Sequence, residues 1–132
     1  MAIFPKEMMA NADMTLEGVA SKLTYFQVQL HLQHWQTMSY AEHKAIDTLY
    51  DFVVGFTDDV VERLMGYNNR RVKAFTLQPL SAEPSTATVN DILTFAYNLQ
   101  EWAGENHYCD IENLAQSLSG EAAKTKYLLT LK

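Results

Sequence analysis

A chain of 132 residues is long enough to bury its own core as one domain, and its single cysteine, Cys109, can close no internal disulfide. One domain over residues 1–132 is expected, in a reducing cytoplasmic setting, with Cys109 a buried and inert thiol. Ten Lys and Arg stand against sixteen Asp and Glu, a formal net charge of −6. That balance repels phosphate backbones and attracts cations, so metal ions suit the surface better than DNA. Met1 to Asn11 carry no apolar run of signal-peptide length, and no segment approaches the ~20 apolar residues of a membrane span.

Almost everywhere the apolar period is helical, and no hairpin dipeptide separates alternating runs, so an all-α domain follows. The first helix is expected from about Leu16 to Trp35, capped by Asp13 or Thr15, with Leu16, Val19, Ala20, Leu23, Phe26 and Leu30 on one face. Ser39 and Glu42 form a capping-box pattern that opens a second helix running to Gly66. From Gly66 to Ala87 the pattern breaks around Pro79 and Pro84, a connection far longer than the ~2–8 residues usual between bundle helices. Thr88 then caps a third helix through Ala103, and Asp110 starts a fourth through Leu129. Two helical hairpins joined by one long crossover are the connectivity of a ferritin-like four-helix bundle, although periodicity alone leaves other four-helix arrangements open.

The second helix carries the chemistry. His43 and Asp47 are four residues apart, as are Asp58 and Glu62, and each pair shares a helix face within reach of one ion. Imidazole with carboxylate suits iron or zinc, while paired carboxylates suit hard cations. At ~100° per residue, the eleven residues from Asp47 to Asp58 return to within ~20° of the same face. Along the axis they separate the pairs by roughly 16 Å, too far for one site. A two-fold axis near Phe52 and Val53 would lay an antiparallel copy alongside, bringing Asp58 and Glu62 of one chain to His43 and Asp47 of the other. Gly55, on the same stripe, would admit close approach of the two backbones. The same carboxylates read without a partner are a solvated helix face.

The run His31-Leu32-Gln33-His34-Trp35, followed by His43, Asp47, Tyr50, Asp58 and Glu62-Arg63-Leu64, resembles the motif of the Dps family, the dodecameric mini-ferritins. The resemblance implies iron ligands at His34, His43, Asp47, Asp58 and Glu62, with His31 close by to orient a ligand or water. It also places Trp35 close to bound iron, although an aromatic at a helix end is more often core. A ferroxidase is the activity implied: Fe(II) oxidised by peroxide or oxygen between two subunits, Fe(III) stored in a hollow dodecamer, and protection under oxidative stress. Surplus carboxylates such as Asp59, Asp91 or Glu101 are candidates to line that hollow. Zinc or manganese could substitute for iron. No lysine-rich tail accompanies the motif, so direct DNA binding is not expected, and neither is a membrane partner. Two rival readings remain: a structural or interaction protein that keeps the oligomer but has a weakened metal site, and a divalent-metal module without turnover.

Overall fold

A computed structural model describes residues 14–131. Four helices follow in order: α1 (Leu16–Gln36), α2 (Tyr40–Asn68), α3 (Ser85–Glu105) and α4 (Cys109–Leu128). The architecture is the expected all-α four-helix bundle with one long crossover between α2 and α3. Thr15 caps α1, its hydroxyl accepting from the Gly18 amide at 3.0 Å. The alternative cap, Asp13, lies outside the described residues. Asn69 closes α2 in the left-handed conformation (φ 51°, ψ 42°), a geometry asparagine tolerates better than most side chains.

Side-chain bonds between the helix ends set the topology. Glu42, near the start of α2, accepts from the Ser85 hydroxyl at the start of α3 at 2.8 Å. At the far end Tyr67 of α2 donates to Asp110 of α4, which also pairs with Arg63 at 3.0 Å. The Tyr67 bond holds the Asp110 carboxyl below its usual range and raises the Tyr67 phenol. With both N-termini at one end, α2 and α3 run parallel, so the chain between them must travel the whole bundle length. Antiparallel hairpins α1/α2 and α3/α4 make the largest packings, α2 also meets α4, and α2 and α3 stand on the diagonal. The core between them is closed by Leu23, Phe26, Leu30, Ile46, Leu49, Val53, Leu64, Ile92, Leu99, Ile111 and Leu118, all fully buried.

The crossover lies along α1, pinned in order from one end to the other. Arg70 grips Glu17 through two bonds of 2.6 and 2.8 Å, and the Lys73 amide adds a third at 2.8 Å. Ser21 donates to the Thr76 carbonyl and Lys22 to the Gln78 side chain. Gln29, fully buried, bonds both the amide and the carbonyl of Ser81, and Gln33 donates to the Glu83 carbonyl and to Thr88. Two buried glutamines on a helix therefore satisfy the backbone of a strap that has no sheet to join.

Three local expectations are corrected. Thr88 is not the cap of α3: the helix starts at Ser85 behind Pro84, and Thr88 is buried within it, donating to Glu83 at 2.6 Å. The Ser39/Glu42 box is half made, because Ser39 accepts from the Glu42 amide while the Glu42 carboxylate is drawn to Ser85. Cys109 is exposed at the first turn of α4, not buried.

Candidate metal site

The short turn between α1 and α2 stacks two imidazoles. His34, in the last turn of α1, and His43, in the first turn of α2, lie with ring centroids 3.8 Å apart and planes 22° from parallel. Each ring addresses the other residue's backbone: His34 Nδ1 is 3.3 Å from the His43 carbonyl, and His43 Nδ1 is 3.0 Å from the His34 carbonyl. A carbonyl oxygen only accepts, so in both rings Nδ1 is the donor. In the neutral form this leaves Nε2 of each as the nitrogen with the lone pair, the state a metal-binding histidine requires. Asp47, one helical turn beyond His43, brings Oδ1 to 3.9 Å from His34 Nδ1. His34 is largely shielded, its side chain 15% exposed, whereas Asp47 is 45% exposed.

His31 extends the cluster as a ring contact. It lies tilted against Trp35 at 4.2 Å, stacks on Tyr50 at 4.6 Å, and sits 5.8 Å from His34. Trp35 is two-thirds exposed, so it is not a core residue.

Asp58 and Glu62 lie farther along the same outward face of α2, and both are exposed. Among the described residues no cation pairs with either, because Arg63 is engaged by Asp59 and Asp110. Val53, Phe56 and Val60 point the opposite way, into the core. The space beside Gly55 is open, with nothing within 4 Å of where a Cβ would stand. Within one chain, among the described residues, no three His, Cys, Asp or Glu side chains form a group that could hold a metal ion. The sequence-read residues thus fall into two sets: His34, His43 and Asp47 brought together, Asp58 and Glu62 apart from them on the same face. The paired backbone bonds of the histidines had no signal in the sequence beyond the brevity of the turn.

Fold and residues together define a one-crossover, all-α four-helix protein with a histidine and carboxylate cluster at one end. The chain itself belongs to DUF5856, a family of unknown function, whose model matches residues 34–129. That assignment corrects the Dps resemblance: no Dps or ferritin-like family matched, and the family that does match covers the crossover and the second hairpin as well as the motif from His34 onward. Ligand-type residues at helical spacing recur on unrelated bundles, which is how a short motif misleads. No curated protein and no solved structure matched the chain. Among the described residues no helix is long and apolar enough to cross a membrane.

Proposed function

We propose that two copies pair antiparallel through α2 and that each pair forms two sites, where His34, His43 and Asp47 of one copy meet Asp58 and Glu62 of the other, to bind and oxidise Fe(II). The observation that carries this reading is the reciprocal Nδ1 bonding of His34 and His43, which in the neutral rings leaves Nε2 of each as the nitrogen able to take a metal. The exposed carboxylates of Asp58 and Glu62, with which no cation pairs among the described residues, add hard donors to the single carboxylate of Asp47 beside the histidines.

In this scheme Fe(II) is the substrate. Imidazole nitrogens hold it, and the carboxylates stabilise the higher charge of Fe(III), which favours loss of an electron to the oxidant. Peroxide is the oxidant to supply: two Fe(II) each give one electron, and peroxide takes both with two protons to leave water. Asp47, its Oδ1 3.9 Å from His34 Nδ1, adds negative charge beside the His34 ring. A closed dodecamer and mineral storage rested on the Dps resemblance and are not carried forward; the two-fold pair rests on this chain's own residues.

The test is anaerobic Fe(II) loading followed by peroxide, with ferric absorbance recorded for wild type and for a variant carrying Asp58→Ala and Glu62→Ala. Loss of two ligands is expected to slow oxidation by at least ~10-fold. Equal rates would remove the enzyme reading. Metal bound by wild type without oxidation would favour a zinc- or manganese-holding module, since two imidazoles suit those ions as well.

A further inference from the structure

The turn joining α1 and α2 places three large apolar side chains in solvent: Trp35 is 67% exposed, Met38 99% and Tyr40 76%. Scattered apolar residues on a surface need no explanation, but three within six residues form a patch of the kind that marks an interface. The opposite end of α2 is concave. An open cleft of about 510 Å³ is lined by Glu62, Met65, Gly66, Asn69, Arg70 and Arg71. A Cβ on Gly66 would meet nothing within 4 Å, so among the described residues nothing fills that space.

The two features are in register. The operator that sets Asp47 opposite Asp58 and His43 opposite Glu62 also sets Tyr40 opposite Met65, with Met38 just beyond, opposite Tyr67. Tyr40 and Met65 share one stripe, since twenty-five residues at ~100° return to within ~20° of the same direction. Lys44, exposed on that stripe, falls one position from Glu62 of the second copy, a cation set beside one carboxylate. Arg70, held flat by its two bonds to Glu17, and the exposed Arg71 offer guanidinium faces on which aromatic rings stack. The middle of the same stripe is unsuited to hold a pair alone, because Asp47, Asp51, Asp58 and Glu62 of both copies repel there until cations enter.

We infer that the tip formed by Trp35, Met38 and Tyr40 docks in the cleft around Met65 and Gly66 of a second copy, once at each end of the pair. The inference rests on the antiparallel pairing proposed above. Docking supplies the apolar burial that the carboxylate seam lacks and covers the entrance beside His34 and His43.

Tyr40→Cys and Met65→Cys, introduced together in a Cys109→Ser background, test it by oxidation and a non-reducing gel. On one rigid helix these positions are ~37 Å apart, whereas a disulfide needs Cα atoms within ~7 Å, so any bond formed joins two chains. A covalent dimer is expected, with a Tyr40→Cys single variant as control remaining monomeric, since its two copies stand ~37 Å apart along the pair. A Met38→Asp variant should remain helical by circular dichroism yet sediment as a monomer at concentrations where wild type is dimeric. A monomer from the 40/65 pair, or a Met38→Asp dimer as stable as wild type, overturns the docking. Co(II) titration of the same proteins separates the two claims. Binding at His34 and His43 without the 40/65 bond overturns docking alone, and the bond in a chain that binds no Co(II) supports docking while overturning the metal reading.

Discussion

Replacing Gln29 by Leu isolates the role of the crossover strap. The side chain is fully buried and makes two bonds to Ser81, one to its carbonyl at 3.0 Å and one from its amide at 3.1 Å. Leucine preserves roughly the same volume, so little of the effect is a cavity, and the two lost bonds at about 1 kcal/mol each give ~2 kcal/mol of destabilisation. For a domain of this length, about 3–4 °C of melting temperature accompanies each kcal/mol, so a fall of about 7 °C is expected. Thermal unfolding followed by circular dichroism measures it, with limited proteolysis of residues 70–84 reporting whether the strap has come loose. A fall under about 2 °C with unchanged cleavage would refute the claim that Gln29 anchors the crossover.

Other consequences are as direct. Glu17 is held down to about 2, chiefly by its Arg70 bond, so its contribution is complete above its ordinary value of 4.5 and is lost as pH falls from there through about 2. The melting-temperature difference between wild type and Glu17→Gln should therefore be constant near neutrality and shrink across that window. Leu49→Ala, in the fully buried face of α2, should lower stability by ~2–5 kcal/mol in chemical denaturation. Because Asp58 and Glu62 are exposed and unpaired among the described residues, their double alanine variant should change stability by no more than ~0.5 kcal/mol per site while removing Fe(II) oxidation.

Much of this architecture was legible in the residues because burial imposes a period. Leu23, Phe26 and Leu30, or Ile46, Leu49 and Val53, can share a face only as helices, and all six are fully buried. The prolines and the length of the segment after Gly66 likewise required a crossover. What could not be read depends on contacts distant in sequence. Gln29 and Gln33 look like polar interruptions of an apolar face until the strap they bind is in place. Glu42 carries a local capping signature, yet Ser85, forty-three residues away, captures its carboxylate. Thr88 has the side chain of a cap, but the restrictions set by Pro84 start the helix earlier and leave Thr88 to Gln33 and Glu83.

The candidate site divides the same way. Helical arithmetic correctly placed Asp47, Asp58 and Glu62 on one outward face of α2. The stacking of His34 on His43, with each ring tied to the other's carbonyl, emerges only from the closed turn. The motif that suggested a mini-ferritin was local, whereas family membership is decided over residues 34–129 and fell elsewhere.

The proposed site needs residues from two chains, and subunit mixing tests that requirement most directly. One variant carries His34→Ala and His43→Ala, the other Asp58→Ala and Glu62→Ala, and each alone should bind no Fe(II) at the site. Mixed in equal amounts and allowed to exchange, half of the pairs combine the two chains, and each such pair regains one intact site. About a quarter of the wild-type Fe(II) binding and oxidation is therefore expected to return. Full activity in either variant alone, or none in the exchanged mixture, would contradict a site shared between two copies.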